Sequence, residues 1–242
     1  MLLTLSNLKA LQTDFVPQLV SNFETAFSVK LTDEANTIRD VLSQIDDRLF
    51  QSYTNPTSAA LHSVIQEGIT AADWVPTTSR PEHVKPYVYS TLLTLVLVHT
   101  EITTTIPIQP KTSIPSTSSY SSQASPLLTN VLTYLVTQIS TSLLTAFQSR
   151  PKYTLPALMQ ATLDTEFIAQ TMSQYVTEEA SSIQSQIYLE LDRRTNDKAR
   201  TKLQAELGEM RGILKKLREQ TKGEFACFKK VRSGGIKGTT TQ

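Results

Sequence analysis

The stretch VKPYVYSTLLTLVLVHTEI, Val84 to Ile102, decides the fold class. Val84, Tyr87, Val88, Leu92, Leu95, His99 and Ile102 recur at helical spacing, and Leu93, Val96 and Leu97 widen the stripe. A stripe that wide has to be buried on more than one side, which predicts a helix at the centre of a bundle. LLTLVLV alone would also suit a buried strand. The periodicity, however, continues over 19 residues, longer than ordinary strands.

The same period extends outward. Upstream, Thr32 to Tyr53 places Ile38, Val41, Leu42, Ile45, Leu49 and Phe50 on one face, with Thr32 as the expected cap and Asp33 and Glu34 complementing the helix dipole. Downstream, Ser125-Pro126 is a helix start signal, followed by Leu128, Val131, Leu132, Leu135, Ile139, Leu143 and Phe147, and Arg150-Pro151 is a stop. A helix over about residues 155–175 uses Leu158, Met159, Leu163, Phe167, Ile168 and Met172. Thr177 then caps one long final segment in which Leu203, Leu207, Met210, Leu214 and Leu217 repeat at 4-3-4-3 spacing. Between the halves, residues 112–125 hold nine Ser and Thr in fourteen, among Pro107, Pro110, Pro115 and Pro126. Such a segment has too little apolar surface to offset the entropy of ordering it. The expected fold is therefore all-α and elongated. Its parts are a first bundle over 1–106, a flexible Ser/Thr/Pro-rich loop over 107–125, a second bundle over 126–222 and a disordered basic tail over 223–242.

Composition excludes much chemistry. The 242 residues include seven glycines, and Gly68 is the only one in the first 207. Phosphate-cradling loops and nucleophile elbows need glycine for positive φ or close backbone approach, and none of their motifs can be written here. One cysteine, Cys227, cannot form an internal disulfide or a multi-thiolate zinc site, and fits an intracellular setting. His62, His83 and His99 lie on different segments without metal-ligand spacing, so His99 is expected as a structural residue, buried and hydrogen-bonded. Asp46-Asp47 and Glu178-Glu179 diverge by about 100° on a helix, unlike a carboxylate pair set up for acid-base work. No enzyme, cofactor or metal is expected. No run approaches the roughly 18 apolar residues of a membrane span, and the N-terminus lacks the basic start and long apolar core of a signal peptide.

The formal net charge of +1 conceals an asymmetry: residues 1–192 carry −8 and residues 193–242 carry +9. Lys215, Lys216, Arg218, Lys222, Lys229, Lys230, Arg232 and Lys237 are interleaved with Phe225 and Phe228. This end reads as a solvated terminus or as a contact with anionic lipid or an acidic partner, where each basic residue near the surface contributes on the order of 1 kcal/mol. Nucleic-acid binding is set aside, since no recognition module accompanies the tail. In the same region, Gly208 and Gly212 are either a weak point of the helix or a close-packing site.

Four strings, MLLTLSN (Met1 to Asn7), DDRLFQSY (Asp46 to Tyr53), EGITAADW (Glu67 to Trp74) and Val84 to Ile102, together with the terminal LREQTKGEFACF, resemble the C-terminal part of the exocyst complex component Sec-five family (exocyst component two). Arg48-Leu49-Phe50, Asp73-Trp74 and His99-x-Glu101 carry the likeness over residues 1 to about 105. The resemblance implies a non-enzymatic subunit of the exocyst, the hetero-octamer that tethers secretory vesicles to the plasma membrane. It implies other exocyst subunits as partners and a cytoplasmic location, peripheral at sites of exocytosis. It also implies an elongated rod of stacked antiparallel helical bundles of which this chain is the end, without the N-terminal assembly helix or the GTPase-binding immunoglobulin-like domain of animal versions, and assigns no GTPase contact to this region. The alternative is a peripheral helical module that binds anionic lipid through its basic tail. Trp74, the only tryptophan, is expected to anchor a short connection to the bundle, and Leu49, Phe50 and Tyr53 to lie in or near the core.

Overall fold

The computed structural model describes residues 1–106 and 125–229. Its helices are α1 (Leu2–Ala10), α2 (Val16–Phe27), α3 (Thr32–Thr70), α4 (Pro86–Thr105), α5 (Pro126–Gln148), α6 (Leu155–Thr171), α7 (Glu178–Arg193) and α8 (Asp197–Gln220). A π-helical turn over Leu11–Phe15 joins α1 and α2, and the junction residues all keep right-handed helical backbone angles. Among the described residues there is no strand, only an isolated bridge between Tyr153 and Thr195. The fold is all-α.

The helix expected over Thr32 to Tyr53 runs on to Thr70, through Pro56. Proline inside a helix removes a ladder bond and costs about 3 kcal/mol. Beyond it, Leu61, Ile65 and Ile69 recur every fourth residue and are buried, so tertiary packing outweighs that cost. At 39 residues and about 1.5 Å per residue, α3 is about 58 Å long. Thr32 is its first helical residue and not its cap. The capping position is Leu31, whose N–H donates to Glu24 Oε1 at 2.8 Å.

The centre of the core falls on α5 rather than α4. On α4, Val88, Leu92, Leu95 and Ile102 are buried, but Leu93 and Leu97, which widened its stripe, face outward. On α5, residues from Leu128 to Phe147 are buried around most of the helix, which packs against α3, α4 and α7. Side chains from α3 to α8 thus line one contiguous core. The separation into bundles before 106 and after 126 is corrected accordingly: helices on both sides of the expected loop share that core. Of that loop, residues 107–124 lie outside the described residues.

Thr177 caps α7 as expected, accepting the Ala180 N–H at 3.1 Å. The final segment is not one helix, because the chain breaks at Arg194–Asn196. There Asn196 Oδ1 accepts the Ala199 N–H at 2.8 Å and starts α8 anew. The heptad seam of α8 packs inside this chain, with Met210, Leu214 and Leu217 buried and α6 as the facing helix. An added Cβ at Gly208 or Gly212 would meet nothing, which excludes the close-packing reading. At Gly68 it would overlap the Tyr87 side chain, so the early glycine lets that residue of α4 lie directly against the α3 backbone.

The stretch expected as a disordered tail from residue 223 is folded at its start. Residues 223–229 fold back in a turn and a 3-10 helix over Ala226–Phe228, burying Phe225 and Phe228. Phe225 meets Phe167 edge-on at 6.3 Å, and Phe228 meets Tyr175 at 6.2 Å. Two aromatic rings inserted among α6 and its following turn overcome the charge and glycine content that suggested disorder.

Candidate functional site

The connection from α3 to α4, residues 71–85, is held by a buried polar and aromatic cluster. Trp74 is 1% exposed, with Phe147 at 6.0 Å and Tyr153 at 6.4 Å between ring centroids. The Arg150 guanidinium lies over the indole, 4.5 Å from its centroid, while Arg150 Nε donates to Ile69 O at 3.1 Å. One arginine therefore stacks on the anchor and satisfies a carbonyl in the last turn of α3. Arg194 does the same for α5, donating from Nη1 to Gln148 O and Arg150 O, each at 2.7 Å. Arg80 extends the tie outward, pairing with Glu206 and Glu209 on α8.

Beneath Trp74 lies Asp164, fully buried on α6. Its Oδ1 accepts the Lys85 backbone N–H at 3.1 Å and Gln160 Nε2 at 2.8 Å, and its Oδ2 accepts the Tyr87 hydroxyl at 3.0 Å. The carboxylate thereby meets the N-terminal end of α4, whose dipole favours negative charge. The Trp74 indole N–H faces this cluster without making a hydrogen bond. Burial raises the Asp164 pKa to about 7, against the opposing pull of the three hydrogen-bonded donors and of the Trp74 indole N–H facing it. Nothing in the sequence marked this residue.

The other expected anchors divide. Phe50 is half-buried and meets Tyr134 of α5 edge-on at 5.5 Å. The half-buried Tyr53 donates to Glu101 Oε2 on α4 at 3.0 Å, and burial together with that carboxylate raises its pKa. Leu49 is half-buried outside the core cluster. His99 is half-buried rather than buried, and instead of the expected hydrogen bond its ring stands edge-on to Phe228 at 6.1 Å. Burial lowers its pKa. Among the described residues, no group of three or more His, Cys, Asp or Glu is placed to hold a metal ion.

Two surface features stand out. On α2 and the turn before it, Phe15, Leu19, Phe23 and Phe27 recur every fourth residue and are 66%, 63%, 43% and 64% exposed. Ile38, Val41 and Ile45 are exposed on the outer half of α3, where Ala35 is the only buried residue before Thr54. The spacing on α3 was legible in the sequence as helix, but not as a surface left open, and the stripe on α2 went unread. At the opposite end of the chain, Lys215, Lys216, Arg218, Lys222 and Lys229 are all exposed. Of these, Arg218 donates to Gln170 Oε1 at 2.9 Å and Lys222 pairs with Glu219 at 3.5 Å. Lys230, Arg232 and Lys237 lie outside the described residues.

The family model of exocyst complex component Sec5 matches residues 1–228 of the chain. The chain belongs to the Sec5 exocyst component family. No curated protein and no solved structure matches it. The Sec5 match covers the apolar surface of α2 and α3, the Trp74 cluster and the folded turn as far as Phe228, the last aromatic residue of the core. Sec5 proteins are components of the exocyst complex. Among the described residues of this Sec5-family chain, one helix, α5, is long and apolar enough to cross a membrane, with a mean hydropathy of 1.3 over its best window. Over half of that window is buried against the other helices, as expected of the core helix of a folded bundle.

Proposed function

We propose that this chain acts as a non-enzymatic exocyst subunit in tethering secretory vesicles to the plasma membrane. It would work from the cytoplasm, peripherally at sites of exocytosis, and bind other exocyst subunits through exposed helix faces. Family membership supports the complex, and the apolar surface of α2 and outer α3 supports the mode of assembly. Contiguous exposed apolar surface of this kind is uncommon on a monomer and marks an interaction site. Its occupant is an amphipathic helix of another exocyst subunit. In this reading the helices form part of a longer rod built of stacked bundles.

The test is co-purification of tagged full-length protein from cells at mild salt. Retrieval of other exocyst subunits is expected, and its absence overturns the assignment. Leu19→Asp with Phe23→Asp is expected to abolish retrieval while circular dichroism and the unfolding midpoint stay unchanged. Undiminished retrieval by that variant removes the surface from the proposal.

A further inference from the structure

The basic residues near the end of α8 converge on a pocket. Arg211, Lys215, Arg218 and Lys222 follow 4-3-4 spacing, one position behind the buried seam residues Met210, Leu214, Leu217 and Thr221. The positive stripe therefore runs along the edge of the packed face of α8. Lys229, carried back by the folded turn, closes the far side of an open pocket of about 580 Å³. Five cations line it against a single carboxylate, Glu219. Arg211, Lys215 and Lys229 make no ion pair among the described residues. Gln170, Ser173 and Gln174 also line it, Gln170 bonded to Arg218 and Glu166 and Gln174 Nε2 donating to Phe228 O, and Phe225 and Phe228 are among its apolar lining.

We infer that this pocket binds the multiply phosphorylated, hydroxyl-rich headgroup of an inositol phospholipid. Convergent Arg and Lys side chains suit phosphate, Arg through its planar fork and Lys as a point charge. Five cations around one small volume call for a ligand that carries several charges on a single ring. The Ser173 hydroxyl and the Gln174 amide oxygen suit the free hydroxyls of such a ring. A lipid source is favoured over a free inositol phosphate because Lys230, Arg232 and Lys237 follow Lys229 directly in sequence, adding basic charge that a bilayer surface attracts. This site is independent of the apolar surface on α2, so either assignment can fail alone.

Vesicle flotation of the full chain tests the inference. Phosphatidylcholine vesicles carrying a phosphatidylinositol bisphosphate are expected to bind more tightly than vesicles carrying phosphatidylserine at matched total charge. Arg211→Ala with Lys215→Ala is expected to weaken bisphosphate-vesicle binding by at least about tenfold, from roughly 1 kcal/mol for each basic residue removed. Lys198→Ala with Lys202→Ala, elsewhere on α8, should leave binding nearly unchanged. Equal binding to both vesicle types, or equal losses from the two double variants, overturns the pocket in favour of diffuse attraction. Binding of soluble inositol bisphosphate without vesicle binding overturns the lipid source. The variant positions are solvent-exposed, and an unchanged unfolding midpoint confirms that a loss reflects the site.

Discussion

The Asp164 carboxylate accepts the backbone N–H of Lys85 at 3.1 Å, so a side chain of α6 meets the first turn of α4. The same carboxylate takes the Tyr87 hydroxyl and is pushed by burial to a pKa of about 7 from 3.8. A raised acid pKa means that the folded state holds the proton more tightly than the unfolded chain. Stability is then highest below about pH 4 for this group and falls as pH rises through about 7, by at most roughly 4 kcal/mol. Asp164→Asn, which keeps an acceptor and removes the charge, should flatten that slope in urea unfolding series between pH 4 and 8. An unchanged slope would assign the pH dependence to other groups.

Trp74 is the only tryptophan and is 1% exposed, so fluorescence reports on the connection alone. Emission should be blue-shifted in the native protein and move red on unfolding. Trp74→Ala is expected to cost about 3–5 kcal/mol, as for large aromatic truncations in a core. Trp74→Phe should retain most of that stability, because the indole N–H makes no hydrogen bond to lose.

Glycines in α3 and α8 should respond oppositely to alanine. Gly208→Ala and Gly212→Ala enter open space and should each stabilise by up to about 1 kcal/mol through helix propensity. Gly68→Ala forces the α3 and α4 backbones apart at Tyr87 and should destabilise by about 1–3 kcal/mol. Chemical denaturation of the three variants gives the signs directly.

Deleting residues 223–242 should lower stability because it removes the buried rings of Phe225 and Phe228. Phe228→Ala alone is expected to cost about 3–5 kcal/mol. Deleting only 230–242 gives the comparison, and equal stability of both truncations would return the turn to the status of a loose end.

Helical class, the starts of α5 and α7 and the apolar seam of α8 were legible because each depends on neighbours within a few residues. The length of α3 was not, since Pro56 reads locally as a breaker and only the burial of Leu61, Ile65 and Ile69 carries the helix past it. The Asp164 cluster was hidden for a different reason: Lys85 and Tyr87 lie nearly eighty residues away in sequence. Arg150 looked like half of a stop signal, and its second role over Trp74 exists only in three dimensions. The folded turn was obscured by basic residues and Gly223, whose local preference yields to two buried rings.

Because α3 is one helix from the open apolar surface to the core, it acts as a beam with one end free and the other built in. A pull applied near Ile38 travels along its backbone ladder toward Ile69, whose carbonyl Arg150 grips beside Trp74. Its most compliant point is where Pro56 leaves a rung missing. Under load the helix would flex there first, sparing the packed end.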